Sequence, residues 1–330
     1  MKKEEYNGLV KDIGNLLENG RSHAFFALNS IIAETYWNIG KRIVEFEQEG
    51  KNRAEYGSAL LERVSHDLKL NYKRGFSRRN LSDMRRFYML YKNWQTLSAK
   101  LGWSHYAELI CIENNEERAF YEKQCLEEGW SIRDLRRQIR SKLFYRLPAA
   151  KKEGGFLKLA CEGHNVRKAE DIIKDPYVLE FLKLPSSYSE KQLEDRIISN
   201  LQMFLLELGK GFSFVARQFR MQIGRKQFYA DLVFYNKLLR CYVLIDLKVK
   251  GGYSGVGQMN LYLNYFKSHV NLKEDNEPIG IILLKEGKGI EVKYALGGVS
   301  SRIFASKYML NLPSLEDLRK AAGINVVKLR

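Results

Sequence analysis

Proline is scarce, 5 in 330 residues, and the chain carries no low-complexity tract and no internal repeat. With 45% hydrophobic residues, such a composition excludes a largely disordered chain. Its 4 cysteines, Cys111, Cys125, Cys161 and Cys241, are scattered without a CxxC pair, and its 5 histidines show no HExxH spacing. That excludes a disulfide framework and a structural zinc, and free thiols of this kind fit a reducing cytoplasm. No apolar run reaches the ~18 residues that suggest a membrane span. The N-terminus, MKKEEYNGLVKDIGNLL, mixes acids with its lysines and lacks the apolar stretch of a secretion signal, so no membrane partner is expected.

Negative charge is also in short supply. Asp and Glu total 39 against 55 Lys and Arg, a net charge of +16. An excess of that size points to a polyanionic partner, nucleic acid before an acidic membrane surface. The length suffices for two domains of ordinary size.

Residues from about 5 to 146 read as helical. From Ala24 onward, Leu28, Ile32, Thr35, Tyr36, Ile39, Ile43 and Phe46 recur at spacings of three and four, a helical stripe. ALLERVSHDLKL, a connector containing Gly75, and SRRNLSDMRRFYMLY follow, with Ser77 placed to cap the last of these. A later helix starts at Ser131, where SIRD forms a capping-box pattern. PAAKKEGGF at 148–156 has the composition of a linker, and DPYVLEFL reads as a short helix. The expected division is an α-helical domain at 1–147, a connecting segment at 148–175 and a second domain at 176–330. In the second domain a long helix over about 190–208 precedes the strand-like runs FSFVARQFRMQI, FYADLVFY, CYVLIDLK, PIGIILL and IEVKYAL. The helix GQMNLYLNYFKSHV interrupts them, giving an α/β pattern with a central mixed sheet.

Charged residues sit where these strands should be apolar. Asp231 lies inside FYADLVFY, and Asp246 and Lys248 end CYVLIDLK. Residues two apart share a face of a strand, so Asp246 and Lys248 project together. The short connection between the two runs implies an antiparallel hairpin that could set Asp231 beside Asp246. Two buried carboxylates repel, and a hard cation such as Mg²⁺, which takes oxygen ligands, relieves both costs. A neighbouring lysine could then position or activate a water, so the cluster suits metal-assisted phosphodiester hydrolysis. As a bare string D…DxK recurs by chance; its place at the ends of two apolar strands gives it weight. Glu194 falls in the middle of the apolar arc of the 190–208 helix. Beside the two aspartates it reads as a metal ligand or the anchor of a metal-bound water; the plainer reading is an acid near a helix start. Gln258 and Tyr262, four apart on a helix, share a face and could orient a substrate, or simply belong to an amphipathic helix. GYSGVGQ has Gln where a phosphate-binding loop needs Lys.

In SRRNLSDMRRFYMLY, Arg78, Arg79, Ser82, Arg85 and Arg86 share one face, and Leu81, Met84, Phe87, Tyr88 and Tyr91 the other. After a helix and a Gly-containing turn, this is a helix-turn-helix-like element whose arginines suit phosphates. A solvated charged face on a bundle helix is the plainer reading. A second basic group, Arg133, Arg136, Arg137 and Arg140, could extend the same track or face acids.

The ordered blocks YWNIGKRI, AEYGSALLERVSHDL, GFSRRNLSDMRRFY, LGWSHYAELI and GWSIRDLRRQI resemble the YhcG-like family along the first half. In the second half DPYVLEFL, LLELGKGFSFVARQFR, FYADLVFYNKLLRCYVLIDLK, GQMNLYLNYF, PIGIILLKE and IFASKYMLNLPS do so. The resemblance implies a helical N-terminal domain and a restriction-endonuclease-like PD-(D/E)xK nuclease domain. It implies Asp231, Asp246 and Lys248 as the catalytic core with Glu194, and Gln258 and Tyr262 as a QxxxY element of the kind found in RecB-type nucleases. Arg217 and Gln218 fall in a family block and would face substrate. Asp246 is one methylene shorter than the commoner Glu of the wider superfamily. VKGGYSGV, between Lys248 and Gly257, carries no acid.

The expectation is therefore a Mg²⁺- or Mn²⁺-dependent hydrolase acting on nucleic acid, DNA before RNA, linked to mobile DNA, restriction or recombination. Asp231, Asp246, Glu194 and the Leu247 carbonyl would hold metal. Two cuts on a duplex would favour a homodimer. The rivals are a non-catalytic DNA-binding adaptor that keeps the nuclease fold, and a nuclease for RNA or branched DNA.

Overall fold

The structure, a computed structural model, describes residues 3–49, 56–93, 98, 100–249, 254–285, 302–314, 316 and 318. The chain divides into two compact units, Met1–Arg136 and Arg137–Arg330. The IEVKYAL run and residues 250–253 of the glycine-rich segment lie outside the described residues.

The first unit is helical. α1 (Lys3–Glu49), α2 (Tyr56–Tyr72), α3 (Arg78–Leu90), α4 (Trp103–Leu109) and α5 (Asn115–Glu128) belong to it, and α6 (Ile132–Arg140) begins at its end. Ser77 caps α3 by accepting the Asn80 N–H at 3.2 Å, and Asn114 caps α5 by accepting that of Glu117 at 2.7 Å. The capping box expected at Ser131 is formed, with Asp134 accepting the Ser131 N–H at 3.0 Å. α1 and α3 cross at Gly40, where a Cβ would come within 2.0 Å of the Met84 carbonyl oxygen. That crossing corrects the stripe read from sequence. Ala33, Trp37, Ile43 and Val44 are buried, whereas Leu28, Thr35 and Phe46 are exposed. Ile43, Leu61, Leu81 and Met84 form the core, with Phe87, Trp103 and Tyr106 in aromatic contact beside them.

The second unit is built on a six-stranded sheet of order β1-β6-β5-β4-β3-β2. The strands are β1 (Tyr177–Val178), β2 (Phe212–Ile223), β3 (Lys226–Asn236), β4 (Cys241–Lys248), β5 (Ile279–Lys285) and β6 (Ile303–Met309). β2, β3 and β4 run antiparallel, and β4, β5, β6 and β1 run parallel, so the sheet is mixed as expected. α11 (Ser254–His269) makes the crossover that a parallel β4–β5 pair requires. α9 (Glu190–Ser199) and α10 (Leu201–Leu208) pack Leu193, Ile197 and Phe204 with Val243, Ile245 and Leu247 on one face. Met259, Tyr262 and Phe266 of α11 pack with Leu244, Ile282 and Leu284 on the other. Burial on both faces is why β4 and β5 read as near-continuous apolar runs.

Three expectations change. The helix over 190–208 breaks at Asn200, because the Ser199 hydroxyl and Asn200 amide bond back to Asp195 and Arg196 carbonyls at 2.8 and 2.9 Å, in competition with the backbone. DPYVLEFL forms β1 and a 3-10 turn at Glu180–Leu182 in place of a helix, since Tyr177 and Val178 pair with Tyr308 and Met309. Residues 148–175, expected as a linker, carry a 3-10 turn at Pro148–Lys151, helix α8 (Gly155–Glu162) and a second turn at Ala169–Ile172. α7 (Leu143–Arg146) precedes them. The second unit begins as early as Arg137 because Arg137 and Arg146 bury their guanidinium groups against Glu207 of α10.

Candidate active site

The β3–β4 ladder runs from Asn236↔Cys241 to Leu232↔Ile245. Continued by one residue, its register sets Asp231 opposite Asp246. There the strands part. Ala230 and Val233 lie in one core layer and Leu232 in the other, so the inward–outward alternation of β3 switches at Asp231. β2 is irregular alongside: Gln218 has a φ of 49°, the left-handed region, and is skipped by the β2–β3 pairing.

Freed from the ladder, Asp231 accepts the Leu247 N–H at 2.9 Å. Lys248 lies 2.9 Å from Asp246 Oδ2 and donates to Oδ1 at 3.1 Å. Burial, then the charge of Asp246, pushes Asp231 up to about 6. Burial likewise raises Asp246, with Lys248 opposing. Burial works against the charge of Lys248, but Asp246 and Asp231 outweigh it and hold the ammonium above its ordinary range.

The remaining candidates fall into two groups. Gln258 donates to the Tyr262 hydroxyl on α11, and burial raises Tyr262, whose phenol also feels Asp246 and Asp231. Gln258 is exposed, whereas Tyr262 is buried in the core behind the acids, so only the amide is open to solvent. Glu194 does not meet the two aspartates directly. It is buried, but Arg217 pairs with it and Gln218 donates to it at 2.6 Å; Gln218 also donates to Asp231 at 3.2 Å. Arg217 reaches Asp195 as well. Arg217 and Gln218 thus bond Glu194, where they were expected to face substrate.

Two residues were missed. Glu190 accepts the Val249 N–H at 3.0 Å, and its charge is felt by Asp246 and Lys248. It lies one helical turn before Glu194, and that i,i+4 spacing was the available signal. At Gly255, a Cβ would stand 3.3 Å from Asp246 Oδ2 and 3.5 Å from Lys248 Cε.

Residues 170–322 match the YhcG PDDEXK nuclease domain, and residues 12–146 match the DUF1016 N-terminal domain. The chain is 40% identical to a protein of Escherichia coli (strain K12) named "Putative nuclease YhcG", over 95% of this chain and 92% of that one. The chain belongs to the YhcG family. No solved structure matches it. The six-stranded mixed sheet is the α/β fold of a PDDEXK nuclease domain, and the helical unit holds most of the family's N-terminal domain.

PDDEXK domains typically use divalent metals, and the residues here fit one. Asp246 Oδ2 is buried without a hydrogen-bond partner of proper geometry, despite the nearby lysine, and Gly255 leaves the space in front of it clear of side chain. Among the described residues no three His, Cys, Asp or Glu side chains converge on one cation position. A cation here would have two carboxylates and neutral oxygens to draw on, a number Mg²⁺ commonly takes from protein.

In the helical unit of this YhcG-family chain the arginine face is partly committed. Arg85 turns back to Glu47 of α1 at 2.7 Å, and Arg78 pairs with Glu62 at 3.0 Å while both stay exposed. Arg79 and Arg86 flank Asp83, which burial raises and they lower. Of the second basic group, Arg136 pairs with Glu108 at 2.7 Å. Arg137 is buried against Glu207 and the Val178 carbonyl, which removes it from any nucleic-acid track. No described helix is long and apolar enough to cross a membrane, and all four cysteines are free.

Proposed function

We propose that this YhcG-family protein hydrolyses phosphodiester bonds in DNA with a divalent cation, Mg²⁺ or Mn²⁺. The observation that carries the reading is the Asp231–Asp246 pair at the β3–β4 end, one carboxyl half-buried and the other buried, with the Lys248 ammonium 2.9 Å from Asp246. Asp231, Asp246 and the Leu247 carbonyl would hold the cation. When bound, it supplies Lewis-acid polarisation of the scissile phosphate. Lys248, kept protonated by Asp246, donates hydrogen bonds; it positions the attacking water and steadies charge on the phosphate, and does not accept a proton. Glu190 and Asp231 hold the β4 end by their bonds to Val249 and Leu247. Glu194 anchors the Arg217–Gln218 corner beside Asp231. The exposed Gln258 orients substrate from α11, held in place by the buried Tyr262 hydroxyl, and Arg79 and Arg86 engage the phosphate backbone, with Arg78 and Arg85 contributing less because of their acid partners.

The test is incubation of the purified chain with linear, supercoiled, single-stranded and branched DNA, and with RNA, in Mg²⁺ or Mn²⁺. Cleavage of DNA is expected, lost at least about 100-fold in Asp246→Asn and in Lys248→Ala. Cleavage that persists in the double variant would remove this site from the reaction, and binding without cleavage in either metal would make the protein an adaptor. Arg79→Glu with Arg86→Glu is expected to weaken binding and to lower the slope of log affinity against log salt by about 2.

A further inference from the structure

α1 is 47 residues long, about 70 Å of helix, yet the core of its unit covers only the later part. Asn29 marks the start of that cover, where its amide meets Gly102. Before it and just past it the helix carries an apolar stripe open to solvent: Tyr6 is 50% exposed, Ile13 48%, Leu17 58% and Ile31 61%. The stripe has a seven-residue period. Tyr6, Ile13, Gly20 and Ala27 form one series, and Val10, Leu17, Ala24 and Ile31 the other. Gly8, Asn15, Ser22 and Asn29 line the opposite side. Apolar residues at two heptad positions over four heptads are the signature of a helix that winds on another helix.

Its shape says which helix. The first half of the stripe is bulky and the second half is small. Laid antiparallel on a copy of itself, Val10 faces Ala27, Ile13 faces Ala24 and Leu17 faces Gly20, each layer pairing a large side chain with a small one. Tyr6 then meets Ile31, and Lys3 meets Glu34, so the ends pair in charge. An in-register parallel pair does not do this: it stacks Gly20 on Gly20 and Lys3 on Lys3, and a staggered parallel pair would not close on itself. Large-against-small layers are what fills a helix interface at interior density. A surface that matches itself by a half-turn is the mark of a two-fold dimer. We infer that the N-terminal half of α1 is a dimerisation element, pairing antiparallel with the same segment of a second copy of this chain.

Sedimentation of the full chain is expected to give about 77 kDa, twice the 38.5 kDa of one chain. Leu17→Glu is expected to return it to 38.5 kDa, and Asn15→Glu, on the opposite side, to leave the dimer intact. Register is read with a short bis-maleimide in a chain whose exposed Cys111 and Cys161 are replaced by serine. Ile13→Cys with Ala24→Cys should couple two chains efficiently. Ile13→Cys alone should not, since in this register the two copies of residue 13 stand roughly 16 Å apart along the axis. Coupling through Ile13→Cys alone would overturn the antiparallel register. A monomer at every concentration, as would follow if the stripe were covered within one chain, would overturn the dimer.

Discussion

Gln218 holds a conformation that side chains avoid. Its φ of 49° places Cβ against its own backbone, at a cost of about 1–2 kcal/mol. In return the amide reaches both Glu194 and Asp231. Gln218→Ala and Gln218→Gly both lose the amide, but only alanine keeps the strained Cβ. The glycine variant is therefore expected to be more stable than the alanine variant by about 1 kcal/mol in urea unfolding, with both cutting more slowly than the parent. Equal stability of the two would mean that this backbone is not left-handed. Among single residues, Asp231, Asp246 and Lys248 were legible in the sequence because a charge inside an apolar strand stands out. Glu190 was not: an acid in the first turn after a capping serine looks like ordinary helix chemistry, and only the approach of Val249 gives it a place at the cleft.

Between elements, the crossing of α1 and α3 turns on one missing side chain. Alanine is the better helix former by about 1 kcal/mol, so Gly40→Ala would stabilise an isolated helix. Here its methyl would overlap the Met84 carbonyl, a backbone atom that cannot rotate away. The variant is expected to lose about 1–3 kcal/mol, read from the thermal transition of the helical unit. A gain would displace α3 from this position. Elements with strong periodicity were readable, among them the β3–β4 hairpin and α11. The long helix after Ser189 was not divisible in advance, because its apolar spacing runs on past Asn200 and the break comes from side chains bonding back to the chain. β6 escaped as a strand because its polar Ser306 and Lys307 interrupt the apolar run; Ser306 is nonetheless buried and bonded to the Lys174 carbonyl. The pairing of Arg85 was illegible for a related reason: the acid that claims it sits 38 residues away in the chain, beyond any local pattern.

For the molecule as a whole, stability is coupled to pH through groups far from the cleft. Glu207 is buried among Arg146, Lys174 and Arg137, which outweigh its burial and hold it down at about 2. His164 is pushed down to about 4, chiefly by burial, against 6.5 when unfolded. A depressed histidine contributes stability that is complete above 6.5 and lost as pH falls toward 4, because the unfolded chain binds the proton first. Between pH 7 and pH 5 its share amounts to about 2 kcal/mol, and His164→Gln is expected to show a flatter urea midpoint over that interval. Equal slopes for parent and variant would show that the imidazole titrates normally.

One strand edge ties these scales together. N–H groups at alternate residues of a strand point the same way, so those of Leu247 and Val249 both face the side that β3 abandons at Asp231. Asp231 takes the first and Glu190 the second, and side-chain oxygens stand in for the absent neighbour. A lineage that lost its acids would therefore fray the middle of its own sheet. The acids at this cleft thus carry a second burden, since they mend the seam beside which they stand.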